Sequence, residues 1–315
     1  MRIIKTDDFS LKIAERSAVT IGNFDGVHRG HREIFRKVCH YASLDSSDSV
    51  VITFDPHPLE LLNPENPPLL ITTLAQKQEL IAESGLDILI VIPFSMNFSR
   101  ISAEDFLRRV LIYSLGVSSL VIGHDYAFGR NREGNEQFVR TFSEKSGFAV
   151  DSIDPVGDGG LIFSSSEVRR LVLSGDVISA TRILGRCHRI SGQVVHGREI
   201  GRSIGFPTAN IVTENRLIPA DGVYAVWVEA FGELHMGACS IGNNPTFPGG
   251  ERSIEVFLFD FDGVLYGHKI VVHFAGRLRD LARFKDAAAL SCQIAADVEA
   301  ARKILSSGLP ARLMS

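Results

Sequence analysis

Along the first half of the chain, short β-branched apolar runs alternate with stretches of helical period. Ala18–Ile21, Val50–Phe54, Ile88–Ile92 and Leu120–Ile122 are near-continuous Val/Ile/Leu segments, the pattern of strands covered on both faces. Between them, His31–Ala42, Leu74–Glu83 and Ala103–Ser114 carry apolar residues at helical spacing, and Ser102 with Asp105 opens the last as a capping box. That order predicts an α/β layer built on a doubly wound parallel sheet. Glycine and polar residues gather after Ile21, Phe54 and Ile122. Such sheets bind ligands beyond the carboxyl ends of their strands, so the site is expected in those loops.

Two more helical stretches follow, Ser166–Leu173 and Val177–Leu184, and the texture then changes between Gly185 and Arg189. Beyond that point His188–His196, Gly222–Ala230, Leu234–Ile241, Ser253–Phe259 and Lys269–Arg277 read as strands separated by glycine-rich turns. Their spacing predicts a small antiparallel β-barrel. A closing helix is expected over Asp286–Leu305, with Leu290, Ile294, Val298 and Ala301 on its apolar face. The predicted domains are 1–186 and 187–315.

Composition narrows the function classes. At 315 residues and 45% hydrophobic the chain can bury two cores, and a formal charge of −4 offers no basic footprint for nucleic acid. The cysteines, Cys39, Cys187, Cys239 and Cys292, are far apart, which argues against a disulfide framework or a zinc ribbon and for a reducing cytoplasm. The apolar run around Ile88–Phe94 is too short to span a bilayer, and Met1–Ser17 lacks a signal-peptide core, so no membrane association is expected. Sequence alone leaves the choice between a monomer and a weak homo-oligomer open.

Two segments carry candidate chemistry. From Ile21 to His31 a strand runs through Gly22, Asn23, Phe24, Asp25, Gly26 and Gly30 into a helix, a pattern that makes an anion cradle of backbone N–H groups. His28 and His31 can donate to phosphate oxygens there, although their spacing alone fits a tight turn with solvated histidines equally well. No Gly-Lys dipeptide and no GxGxxG occurs, which disfavours P-loop ATPases and dinucleotide redox enzymes. The second segment, His196–Asn210, is a glycine-rich loop in which Arg198 and Arg202 can neutralise phosphates, while Thr208 and Asn210 offer oxygen ligands for Mg²⁺ bound with a nucleotide. Glu255 precedes the apolar run Val256–Phe259, a setting that partial desolvation would make more basic, although an outward-facing strand glutamate has the same pattern. Asp260 and Asp262 before Gly263 form a turn rather than a calcium loop, because Val271 stands where the loop's last carboxylate belongs.

TIGNFDGVHRGH, from Thr20 to His31, resembles the first motif of the nucleotidyltransferase half of prokaryotic bifunctional riboflavin kinase/FMN adenylyltransferases. VITFDPHPL from Val51, the Ile122–Gly129 segment and Ser164–Arg169 resemble its later motifs, and PTAN at Pro207–Asn210, Gly242–Phe247, Ile254–Gly263 and Arg277–Lys285 resemble the flavokinase barrel. The resemblance implies a Rossmann-like nucleotidyltransferase domain followed by a riboflavin kinase barrel. It also implies phosphorylation of riboflavin to FMN and adenylylation of FMN to FAD, with ATP as co-substrate of both reactions. By the same resemblance, His28 and His31 stabilise the ATP phosphates, and Ser164, Ser165 and Arg169 clamp them together with Gly22, Asn23, Phe24, Asp25 and Gly30. His57, Asp125, Phe128 and Arg277 would meet the flavin. Arg202, Gly205, Phe206 and Pro207 would serve the kinase nucleotide, Thr208 and Asn210 its Mg²⁺, and Glu255 would be the general base on the ribityl hydroxyl. Two positions depart from the pattern: Ser166 stands for threonine, and Ala127 for an arginine that in many relatives bears on FMN affinity. The competing readings are a single-activity adenylyltransferase for another phosphorylated substrate and a flavin-binding regulatory protein. PTAN and Glu255 disfavour the first, because adenylyl transfer needs neither, and a regulator would not need His28, His31 and Glu255.

Overall fold

In the computed structural model, residues 1–124, 126–197, 205–243 and 252–308 are described. They form two compact units, Met1–Ser164 and Ser165–Ser315.

The first unit is a six-stranded parallel sheet. Its strands are β1 (Arg2–Lys5), β2 (Ser17–Ile21), β3 (Asp48–Asp55), β4 (Ile88–Pro93), β5 (Val117–Gly123) and β6 (Ala149–Ile153), in the order β1-β4-β3-β2-β5-β6. The order runs outward in both directions from β2, which puts a topological switch beside the loop that follows Ile21. Along β2, β3 and β4 the runs are buried on both faces, as their unbroken apolar pattern requires. Val19, Ile52, Ile90 and Leu120 pack on Phe106, Leu107 and Leu111, while Val51, Leu89 and Val121 pack on Phe35, Val38 and Leu80.

The helices of this unit are α1 (Arg29–Asp45), α2 (Pro58–Leu62), α3 (Leu74–Ala82), α4 (Ala103–Phe106) and α5 (Glu136–Ser146), with a π-helical run Leu107–Ser114 continuing α4. Ser102 caps α4 as expected, its Oγ accepting from Asp105 N at 3.0 Å. A two-stranded ribbon, β7 (Gly157–Asp158) and β8 (Leu161–Ile162), ends the unit.

The second unit is a closed antiparallel barrel with the order β10-β13-β12-β11-β14-β9. Its strands are β9 (His188–Val195), β10 (Ala209–Thr213), β11 (Gly222–Ala230), β12 (Glu233–Gly242), β13 (Ser253–Leu258) and β14 (Lys269–Arg279). Closure removes every unpaired edge and encloses a core of Val194, Ile211, Tyr224, Val226, Val256, Val272 and Phe274. Helices α6 (Ser165–Ser174) and α7 (Val177–Leu184) belong to this compact unit, with α7 against β9 and β14. Helix α8 (Ala287–Ser306) covers the barrel's outer face through Trp227, Phe259, Ala301 and Leu305. Arg279 pins it there by bonding both oxygens of the buried Asp297 at 2.7–3.1 Å.

Candidate active sites

In the first unit the strand β2 ends at Ile21 and the chain turns through Gly22–Val27 into α1. Phe24 and Val27 hold φ values of 46° and 40°, the left-handed region that costs non-glycine residues about 1–3 kcal/mol each unless their surroundings impose it. The surroundings do so through buried polar contacts. Asp25 is buried, and its carboxylate accepts from Ile71 N at 3.0 and 3.1 Å, from Thr72 N at 3.2 Å and from Thr72 Oγ1 at 3.2 Å. Thr72 Oγ1 in turn accepts from Gly26 N. Asp25 therefore builds the loop.

His28 is the N-cap of α1. Its Nδ1 accepts from His31 N at 3.3 Å, which puts the ring proton on Nε2. The His28 and His31 rings stack with centroids 3.6 Å apart, and Phe24 stands edge-on to His31 at 5.2 Å. Gly30 makes this possible, because a Cβ there would lie 3.1 Å from the His28 ring atoms. Two imidazoles and the first backbone N–H groups of a helix thus share one spot, an arrangement fit to receive anionic oxygens.

Around this loop lie residues the sequence reading did not single out. Lys77 of α3 is buried, and its Nζ donates to the Asn23 carbonyl at 3.1 Å and to Thr53 Oγ1 at 3.3 Å. Burial pushes this ammonium below its ordinary range, against the pull of Asp25, Asp55 and Glu60. A signal was present: Lys77 falls three residues after Leu74 and three before Leu80, on the apolar stripe of a helix, where a cation needs a reason.

His57 does not merely follow the end of a strand. It is the N-cap of α2, accepting from Leu59 N at 3.2 Å, while Glu60 accepts from the His57 backbone N–H to complete a capping box. Phe128 pairs its backbone with Gly134 and packs on Phe106 and Tyr126, extending the aromatic row of Phe54, Phe94 and Phe98. Ser164 immediately precedes α6, Ser165 opens it, and Arg169 lies half-buried on its second turn. Asp125, Arg198 and Arg202 lie outside the described residues.

In the barrel, Asn210, Glu255 and Ser240 are direct cross-strand neighbours on β10, β13 and β12. Their sequence neighbours Ala209, Ile211, Val256, Cys239 and Ile241 are buried in the interior, so alternation turns the three polar side chains outward into one row. Thr208 joins them, with Oγ1 donating to Glu255 Oε2 at 3.4 Å, and Ser253 Oγ donates to Oε1 at 3.0 Å. Glu255 is half-buried, with a hydroxyl on each oxygen. Phe206 stands edge-on to Phe257, two residues along the same face, and the sharp bend at Gly205 uses a φ of 86°. Gly197 lies against the Asn210 amide, where a Cβ would collide.

Arg277 has its partners within the barrel unit. It donates to the Asp221 carbonyl at 2.6 Å, pairs with Asp280 at 2.8 Å and lies over the Tyr224 ring, whose phenol burial pushes up to about 12. Among the described residues no group of three His, Cys, Asp or Glu could hold a metal, and no helix is long and apolar enough to cross a membrane.

A wound parallel sheet with paired histidines at a helix start, followed by a closed barrel with a hydroxyl-flanked glutamate, is the architecture of a two-domain transferase. Comparisons with known proteins agree for both halves. A family model described as FAD synthetase matches residues 10–167, and one described as riboflavin kinase matches residues 184–305. The bifunctional riboflavin kinase/FMN adenylyltransferase of Pseudomonas fluorescens is 38% identical over 90% of this chain and 92% of its own length. The enzyme of that description from Escherichia coli K12 is 37% identical over 94% and 95%. A crystal structure from Streptococcus pneumoniae, described as a macrolide-efflux protein, superposes with a TM-score of 0.88 and 32% identity over 96% of this chain and 99% of that one. The chain belongs to the bifunctional riboflavin kinase/FMN adenylyltransferase family, whose members use ATP to make FMN from riboflavin and FAD from FMN.

Proposed function

We propose that the two reactions of FAD synthesis are divided between the two sites: FMN is adenylylated at the Gly22–His31 loop and riboflavin is phosphorylated at the Glu255 row. The observation that carries this division is that the Gly22–His31 loop lies wholly in one compact unit and the Asn210–Glu255–Ser240 row wholly in the other. In adenylyl transfer, the FMN phosphate attacks the α-phosphorus of ATP and pyrophosphate leaves. His28 and His31, with the α1 N-terminus, stabilise the charge that grows on the phosphate oxygens. Gly22, Asn23, Phe24, Asp25 and Gly30 shape the cradle. Ser164, Ser165 and Arg169 are further phosphate ligands, Arg169 through its planar fork. His57, Asp125 and Phe128 line the flavin side, and Arg277 is a flavin contact of the kinase.

In the kinase reaction, Glu255 takes the proton from the ribityl hydroxyl as its oxygen attacks the γ-phosphorus of ATP, and ADP leaves. The paired hydroxyls of Thr208 and Ser253 hold the carboxylate in one orientation. Thr208 and Asn210 are neutral oxygen donors beside a carboxylate, a set suited to Mg²⁺ carried mainly by nucleotide phosphates and water, and unlike a preformed metal cage. The ion would neutralise phosphate charge, while Arg202, Gly205, Phe206 and Pro207 form the loop over the nucleotide. We place the functional boundary between residues 186 and 187 and the protein in the cytoplasm, with riboflavin, FMN and ATP as its partners.

Incubating a fragment from Cys187 to Ser315 with riboflavin and Mg-ATP tests the division. Formation of FMN without FAD is expected, and a folded fragment making no FMN would overturn it.

A further inference from the structure

The Gly22–His31 loop is held from beneath by a buried cation. Lys77 is 7% exposed, and its Nζ reaches the Asn23 carbonyl at 3.1 Å and Thr53 Oγ1 at 3.3 Å, while Thr53 Oγ1 itself donates to that carbonyl at 3.1 Å. The three groups tie α3, the end of β3 and the loop to a single oxygen. Asn23 immediately precedes Phe24, the first of the two residues in the left-handed region, so this carbonyl lies where the chain begins its strained path. An ammonium taken out of water costs several kcal/mol unless it is paired and hydrogen-bonded. Leu or Met would fill the same helix position without that penalty. Asp25 of the loop, Asp55 of β3 and Glu60 of α2 supply the compensating negative field.

We propose that Lys77 is a positioning residue for adenylyl transfer: it fixes the Asn23 carbonyl, and through it the course of the loop that aims His28, His31 and the α1 amides at the nucleotide. The proposal rests on the reading of that loop as the ATP-phosphate site. The contacts of Lys77 are to the loop carbonyl and to Thr53, so its effect is transmitted as geometry. Misplacing reacting groups by an ångström can cost about 10²-fold in rate.

The test uses the full chain with Lys77→Met, of similar length and no charge, and Lys77→Arg. Rates of FMN adenylylation with added FMN, riboflavin phosphorylation in the same preparation, and thermal unfolding are measured together. For Lys77→Met the kcat of FAD formation should fall by about 10²-fold while KM for FMN stays within about twofold, because transition-state alignment and not flavin binding is lost. Riboflavin phosphorylation should be unchanged, and Lys77→Arg should recover part of the kcat. A folded Lys77→Met chain with normal kcat, or with a loss wholly in KM, overturns the proposal. Should Lys77→Met fail to fold, Lys77→Gln decides: it keeps a polar group at the position but removes the charge and is too short to reach the Asn23 carbonyl, and a normal kcat from it also overturns the proposal. A parallel His28→Ala/His31→Ala chain separates the two claims. If that chain makes FAD normally the loop reading fails, whereas if it is inactive and Lys77→Met is normal, only the role of Lys77 fails.

Discussion

The two sites solve different problems with different materials. Around Gly22–His31 the functional groups hang on backbone: a strained loop, a histidine that caps its own helix, and a buried carboxylate and a buried ammonium that hold the turn from behind. Around Glu255 they hang on strands, and an outward-facing row of Asn210, Glu255 and Ser240 is aligned by sheet register alone. Stabilising charge on phosphate oxygens, the role proposed for the first site, needs donors that do not move as the charge grows, and the buried polar groups behind the loop supply that rigidity. Removing a proton, the role proposed for Glu255, needs a carboxylate that a substrate can reach, and the barrel leaves Glu255 half-exposed with the Thr208 and Ser253 hydroxyls on its two oxygens.

The largest effect should come from Glu255→Gln, which keeps the shape and removes the proton acceptor. Riboflavin phosphorylation should fall by roughly 10²–10⁴, while added FMN is still converted to FAD. Normal phosphorylation would reduce Glu255 to a strand glutamate. His28→Ala with His31→Ala should lower FAD formation by at least the order of 10²–10³ expected for one lost oxyanion-type donor, leaving FMN formation intact. This is read by separating riboflavin, FMN and FAD after a single incubation.

Stability should sharpen the same contrast. Asp25→Ala orphans the buried backbone donors of Ile71 and Thr72, at about 1–3 kcal/mol for each unsatisfied group, and should lower the unfolding midpoint of the first unit measured by urea titration. Ser253→Ala removes one partner of a half-exposed carboxylate and should cost no more than about 1 kcal/mol in the same measurement.

The smallest effect concerns pH. His273 is buried against Glu229 at 2.8 Å, and burial holds its imidazole below the usual range despite that partner. A group whose folded pKa is depressed stabilises the fold above its unfolded value, near 6.5, and that contribution is lost as pH falls toward the folded value. Barrel unfolding followed from pH 8 to 5 should therefore show a decline that His273→Gln makes shallower.

Strands in the parallel sheet and barrel were legible because their apolar runs are long: β4 over Ile88–Pro93 and β11 over Gly222–Ala230 fall where the pattern predicts them, as does the helix α7 over Val177–Leu184. The edge strands β1 and β6 and the short β10 were not. Their alternation is brief, and pairing with longer neighbours, rather than their own composition, makes them strands. His28, His31 and Glu255 are singled out through the motifs that resemble the family, because spacing alone fits a turn or an outward strand glutamate equally well, and the hydrogen bonds around them could not be read from sequence at all. Asp25 reads as a candidate ligand in sequence, and only the fold brings Ile71 and Thr72 to its carboxylate from 46 and 47 residues away. Likewise Lys77 acquires meaning only when α3 is laid beneath Asn23, a contact across 54 residues.

The central claim, two reactions at two separable sites in one chain, is tested most directly by mixing two full-length variants. With riboflavin and Mg-ATP, Glu255→Gln alone should leave riboflavin unconverted, and the His28→Ala/His31→Ala chain alone should stop at FMN. Mixed together, the two should restore FAD, because FMN made by the second chain is adenylylated by the first. A mixture that makes no FAD, or a single variant that loses both activities while still folded, would contradict the account.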